Sequence, residues 1–267
     1  MAVVLDVDSA ADPRVDDFRD LKAADRRPDR PGGKGLVIAE GTVVVRRMLE
    51  SPFRPHALLG VDKRWQELAP DLAGFDIPFF RASAEVMAEV VGFHLNRGVL
   101  AVSLRPPARD FTELVAGATT VAVLEGVNDH ENLGSMFRNA AGLGVDAVLF
   151  GAGCADPLYR RSVRVSMGHA LRVPFAPVPD WPDGLATLRR GGFQVVALSP
   201  DPAAVPLAAA LTGRRVALLL GAEGPGLTEE AMAASDVRAR IPMAPGTDSL
   251  NVATAAAMAF YERVRAS

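Results

Sequence analysis

The chain has 267 residues, enough for about two domains at roughly 150 residues each. Hydrophobic residues make up 49% and charged residues 23%, so the chain can bury a real core, and its net charge of −3 excludes a whole-molecule basic field but not a local basic face. No run approaches the ~18 apolar residues of a membrane span. The single cysteine, Cys154, excludes an intrachain disulfide and any multi-cysteine metal centre. The acidic opening, with Asp6 and Asp8, does not read as a signal peptide, and a cytoplasmic protein is expected.

Residues 1–34 are rich in Asp, Arg and Pro and read as a mobile arm with a short helix around Val15–Ala24. Residues 35–105 follow as a small α/β unit. Its predicted strands are Gly35–Ala39, His56–Val61, Ile77–Phe80 and Val99–Leu104, and its helices Thr42–Glu50, Lys63–Asp71 and Ser83–Val91. The polar stretch 106–118, opened by Pro106-Pro107, reads as a linker. Residues 119–267 form a second α/β series. Strands are predicted at Val121–Glu125, Ala147–Phe150, Pro174–Val178, Gln194–Leu198, Val216–Leu220 and Arg240–Pro242. Helices are predicted near Asn132–Leu143, Tyr159–Ala170, Gly184–Arg190, Glu229–Ala234 and Asn251–Arg265. Strands alternating with helices imply a mainly parallel sheet, and ligands of such sheets sit beyond the carboxyl ends of the strands.

Lysine occurs only at positions 22, 34 and 63, so no lysine chemistry is open to the C-terminal part. Several fragments imitate known motifs and fail on inspection. Gly32-Gly33-Lys34-Gly35 lacks the magnesium-binding hydroxyl of a phosphate loop, and Gly134 stands where the second histidine of a zinc-protease helix would follow His130-Glu131. In Gly221-x-x-Gly224-x-Gly226 the glycine spacing is the reverse of a dinucleotide fingerprint.

Three stretches carry chemistry. Leu124–Ala141 follows a strand and opens a helix, bringing Asn132 and Arg138 to its start; there Asp129 reads as a helix cap and Arg138 either as a functional or as a solvated arginine. Leu218–Leu227 runs a buried strand into a glycine-rich bend that carries Glu223, where a carboxylate suits a hydroxyl or cationic partner; an ordinary strand-to-helix turn is the other reading. Ile241–Ala256 leaves the sheet at Pro242 and offers Ser249 and Asn251, with Ser249 equally a cap for a helix beginning at Leu250.

Together these stretches resemble the SpoU/TrmH family of SPOUT RNA methyltransferases. The family patterns N-x-G-x-x-x-R-x-A, L-G-x-E-G-x-G and I-P-M…S-L-N-V meet Asn132…Ala140, Leu220…Gly226, and Ile241-Pro242-Met243 with Ser249-Leu250-Asn251-Val252. Arg164–Pro174 is similar to the family's connecting helix. The resemblance covers about residues 119–264 and departs in one place: many members have proline after the first aspartate, where this chain has His130-Glu131.

The resemblance implies a SPOUT-type parallel sheet with a C-terminal trefoil knot, preceded by a small α/β/α ribosomal-protein-like substrate-binding domain. It implies a homodimer that uses S-adenosylmethionine and no metal to methylate a ribose 2′-hydroxyl of tRNA or rRNA. Leu220, Gly221, Ile241, Met243 and Leu250 are its expected cofactor contacts; Asn132, Arg138, Glu223, Ser249 and Asn251 are its expected catalytic residues. Arg138 is the family's main catalytic arginine, as base or as phosphate grip, and a guanidinium is a reluctant base. Arg14, Arg26, Arg27, Arg30, Arg160 and Arg161 are expected to grip the RNA backbone, with salt pairing among the aspartates of the arm as the other reading. A non-catalytic RNA-binding or ribosome-assembly factor on the same fold is the alternative, separated by cofactor binding.

Overall fold

The computed structural model describes residues 2–21, 27–28 and 32–266. In chain order the elements are β1 (Val3–Asp6), a 3-10 turn (Pro13–Phe18), β2 (Leu36–Glu40), α1 (Thr42–Leu49), β3 (Pro55–Gly60), α2 (Asp62–Leu68), β4 (Pro78–Arg81), α3 (Ala84–Val91) and β5 (Val99–Leu104). There follow α4 (Phe111–Ala116), β6 (Thr120–Leu124), α5 (His130–Gly142), β7 (Ala147–Phe150), α6 (Arg160–Val165), a 3-10 turn (His169–Leu171), β8 (Phe175–Pro177), α7 (Leu185–Arg190) and β9 (Phe193–Leu198). The chain ends with β10 (Val205–Pro206), α8 (Leu207–Ala210), β11 (Arg215–Leu220), α9 (Glu229–Ala233), β12 (Val237–Arg240) and α10 (Val252–Arg265).

These elements form two compact units, Met1–Pro107 with Leu158–Arg172, and Ala108–Pro157 with Val173–Ser267. The first is built on a mixed sheet of order β1-β4-β3-β5-β2, in which β1, β4 and β3 run parallel and β5 runs against β3 and β2. Residues 2–21, expected in a mobile arm, instead complete this sheet and its core. Val3–Asp6 pair with Pro78–Arg81, and Val15, Phe18 and Leu21 are fully buried. The charge-rich composition hid these apolar residues. Part of the helix expected at Val15–Ala24, together with Arg26 and Arg30, lies outside the described residues.

Two further boundaries differ from expectation. The single helix expected at Tyr159–Ala170 stops at Val165, because Met167 (φ 55°) and Gly168 (φ 86°) turn the chain, and the segment packs with the first unit on β2. The stretch 106–118, expected as a linker, holds α4, whose Phe111 and Val115 enter the core of the second unit. Asp110 caps that helix by accepting from Glu113 N–H.

The second sheet is wholly parallel, in the order β10-β12-β9-β11-β6-β7-β8. Its central strands are buried on both faces, which is why Val216–Leu220 reads as an unbroken apolar run. The last strand is Val237–Arg240 rather than Arg240–Pro242, since Pro242 lacks the N–H that a ladder needs. The last turn of α10 is anchored by the buried Arg263, whose guanidinium donates to Thr120 Oγ1 and to the carbonyls of Gly213 and Arg214.

Phe18→Ala empties a fully buried ring site and is expected to cost about 3–5 kcal/mol, read from the denaturant midpoint. A loss below about 1 kcal/mol would place the N-terminal segment outside the core.

Candidate active site

Because the seven strands are parallel, the residues leaving β9, β11 and β12 meet at one edge of the sheet, where open α/β sheets bind ligands. A cleft of about 140 Å³ lies there within the second unit. Leu198, Leu220, Ile241, Met243, Leu250 and Ala255 supply its apolar walls; Ser199, Glu223, Ser249 and the backbone of the bend after β11 supply its polar groups. All five expected cofactor contacts therefore line one cleft. Ser199 and Pro200, which follow β9, line it too and carried no signal in the sequence.

The bend is as tight as its glycines allow. A methyl group on Gly221 would sit 2.3 Å from the carbonyl carbon of Gly226 and 2.4 Å from the nitrogen of Leu227, so its two limbs close only over glycine. Gly226 N–H donates to Ala222 O at 3.1 Å and completes the turn.

Asn251 organises the polar groups. It is the N-cap of α10, its Oδ1 accepting from Ala253 N–H and Thr254 N–H at 3.0 and 3.1 Å. That duty belongs to Asn251 and not to Ser249, which lies two residues before the cap. With Oδ1 committed to the helix, the amide must point Nδ2 outward, and it donates to Asn132 Oδ1 at 2.8 Å and Glu223 Oε1 at 2.6 Å. Glu223 Oε1 also accepts from Val252 N–H at 3.2 Å. Asp129 caps α5 through Glu131 N–H and Asn132 N–H, which holds Asn132 at the start of its helix. Asn139, one face of α5 further on, donates to Ala253 O at 3.0 Å and ties α5 to α10.

Arg138 is not brought into this cluster. It is exposed on α5, and neither the cleft walls nor the hydrogen bonds of the trio include it. In the first unit, Arg14 does not stand free: it pairs with Asp12, donates to Asp6 O and lies over the Phe80 ring. Its hydrogen bonds hold the Asp12 carboxyl below the usual range. Arg160 is likewise engaged, bridging to the buried Glu40 at 2.8 Å and lying over Phe93. Arg27 and Arg161 are exposed.

One residue beside the site had no expected role. Glu125, buried at the end of β6, accepts from Trp181 Nε1–H at 2.6 Å, Thr228 N–H at 2.8 Å and Thr228 Oγ1–H at 3.0 Å. The only hint in the sequence was an acid closing the apolar run Val121–Leu124.

An apolar cleft at parallel strand ends, edged with backbone amides and a few fixed polar side chains, defines a protein that takes a small organic ligand. Comparison with known proteins narrows this. The sequence model described as the SpoU rRNA Methylase family matches residues 119–261. An uncharacterized tRNA/rRNA methyltransferase of Mycobacterium tuberculosis is 65% identical over 265 residues, 98% of this chain and 92% of that relative. The 23S rRNA (guanosine-2′-O-)-methyltransferase RlmB of Acinetobacter baylyi is 30% identical over 210 residues, 76% of this chain and 85% of that protein. The AdoMet-bound rRNA methyltransferase of Sinorhizobium meliloti matches in structure with a TM-score of 0.81 at 26% identity, over 98% of both chains. The chain belongs to the SpoU rRNA methylase family, whose members named here are RNA methyltransferases.

Cys154 lies close to this site and donates its thiol to Leu124 O at 3.2 Å. Burial pushes the thiol up to about 11, only partly offset by the backbone N–H groups of Val127 and Gly126. The folded chain therefore keeps a proton that the unfolded chain releases above pH 9.0, so this group's contribution to stability is full below that value and falls as pH rises toward 11. Iodoacetamide at pH 8 is expected to label native Cys154 far more slowly than the unfolded chain, and equal rates would contradict the burial.

Proposed function

We propose that this protein transfers a methyl group from S-adenosylmethionine to a ribose 2′-hydroxyl of tRNA or rRNA. The observation that carries the reading is the Asn132–Asn251–Glu223 trio, fixed by hydrogen bonds of 2.6–2.8 Å beside an apolar cleft. The guanosine-2′-O activity in the name of the Acinetobacter relative and the AdoMet bound by the Sinorhizobium protein support it.

The cleft suits that cofactor. Leu220, Ile241, Met243 and Leu250 offer apolar surface for a purine ring, the backbone of the Gly221 bend offers amides and carbonyls, and Glu223 places a carboxylate where a cationic ligand gains. When bound, S-adenosylmethionine supplies an electrophilic methyl group on a sulfonium centre. The ribose hydroxyl is a poor nucleophile, so the protein's part is to align it and help its proton leave. Glu223 Oε1 is committed to Asn251 and Val252, which leaves Oε2 as the acceptor for that hydroxyl. Asn132 Oδ1 is likewise committed, which leaves its Nδ2 as a donor to the ribose. Ser249 adds a hydroxyl at the cleft wall. Arg138, exposed on α5, grips the phosphate of the target nucleotide and stabilises developing charge, a task that suits a guanidinium better than taking a proton.

The same reading gives the first unit the RNA backbone, with Arg27 and Arg161 among its contacts, and places the protein in the cytoplasm. It includes a trefoil knot, supported by β11 and β12 entering the sheet beside strands formed earlier in the chain. It also includes a homodimer. Met258, Tyr261 and Val264 stand exposed at three-residue intervals along α10, an apolar stripe that a second copy would cover. No helix among the described residues is long and apolar enough to cross a membrane.

Transfer of labelled methyl to cellular RNA, followed by digestion to nucleosides, tests the reading: label is expected on ribose, and label on a base would overturn it. Arg138→Ala is expected to lower kcat at least ~10²-fold with little change in cofactor affinity, whereas full activity would remove Arg138 from the site. Tyr261→Glu is expected to shift the species seen in sedimentation from dimer to monomer, and an unchanged dimer would place the interface elsewhere.

A further inference from the structure

Glu125 takes no part in the chemistry above, yet it touches both ends of the bend that does. Its backbone N–H donates to Leu220 O at 2.9 Å, where the bend begins. Its carboxylate accepts from Thr228, the residue after the bend, through Oε2 to Thr228 N–H at 2.8 Å and Oε1 to the Thr228 hydroxyl at 3.0 Å. Thr228 is in turn the cap of α9, its Oγ1 accepting from Ala231 N–H at 3.2 Å, so the exit of the bend and the following helix are fixed together.

A third bond fixes the carboxylate itself. Oε1 accepts from Trp181 Nε1–H at 2.6 Å, and the indole lies flush on Gly151, where a Cβ would meet its ring atoms at 2.6–2.7 Å. The ring is thus seated on the backbone after β7 and cannot follow a drifting partner. Both carboxylate oxygens are used by donors, so no amide can replace it: in either orientation the NH2 of glutamine would face an N–H.

We propose that Glu125 is a positioning residue for methyl transfer, clamping the two ends of the Gly221–Leu227 bend so that Glu223 meets Asn251 and the bend's backbone faces the cofactor. The inference rests on the function proposed above. Between its clamped ends the bend is braced by the Gly226–Ala222 hydrogen bond, and Glu223 stands inside that turn. Release of Thr228 frees the limb that closes over Gly221, and with it the wall of the cleft.

The test is calorimetric binding of S-adenosylmethionine alone, with steady-state methyl transfer beside it, for the full-length wild type, Glu125→Gln, Thr228→Val and Thr228→Ser. Glu125→Gln is expected to weaken cofactor binding about tenfold or more and to raise its KM alike, with the KM for RNA unchanged. Thr228→Val, which loses the hydroxyl both as donor to Glu125 and as cap of α9, is expected to bind several-fold more weakly, and Thr228→Ser, which keeps both, to recover most of that loss. A merely structural Glu125 would lower the unfolding temperature of Glu125→Gln and leave its cofactor affinity at the wild-type value; that result overturns the proposal. If Glu125→Gln does not fold, the Thr228 pair decides, and wild-type affinity in Thr228→Val overturns it. Failure of the wild type to bind the cofactor removes the functional reading and this role with it, whereas normal binding in both wild type and Glu125→Gln removes this role alone.

Discussion

The pairing of β11 between β6 and β9, all three parallel, is the constraint on which the rest of the second unit depends. A strand paired on both sides and covered on both faces has no room for polar side chains, so Val216–Leu220 is apolar throughout. The polar groups are displaced to the end of the strand. There the chain must clear its neighbours within a few residues, and Gly221 allows the two limbs of the bend to touch. The cleft is the space left where β9, β11 and β12 release their chains side by side.

Asn251 ties this edge to the helices. A cap of this kind is worth about 1 kcal/mol to a helix, a modest sum for a 14-residue element with a buried face. Its larger effect is geometric. The two N–H groups of α10 hold Oδ1, and the amide then has a single orientation in which Nδ2 reaches Asn132 and Glu223 together. A serine cap would hold the helix and supply neither Asn132 nor Glu223 with the amide donor that joins them.

In the first unit, magnitudes decide between charge and burial. The pairs Arg81–Asp6 and Arg14–Asp12 are solvent-exposed, where an ion pair is worth ~0–1 kcal/mol. Burial of an apolar side chain the size of Val15, Phe18 or Leu21 contributes roughly 1.5–3 kcal/mol. The N-terminal segment is therefore held chiefly by its few apolar residues, and the aspartates and arginines that dominate its composition decorate the surface of that packing. Arg14 pairs with Asp12 two residues away for the same local reason.

What the sequence determined by itself is what a short window encodes. The apolar runs of β6, β7, β9 and β11 and the periodicity of α5 and α10 are local patterns, and each element lies where its pattern placed it. Tertiary structure alone decided partners. Asn251 meets Glu223 across 28 residues of chain and Asn132 across 119, and only the strand order brings those ends together. The same holds for the cap on Asn251 in place of Ser249, for Glu125 beneath the bend, and for Leu158–Arg172, which leaves its sequence neighbours to pack on β2. A side chain's type is written in the sequence; its hydrogen-bond partner depends on which distant backbone the sheet has set opposite it.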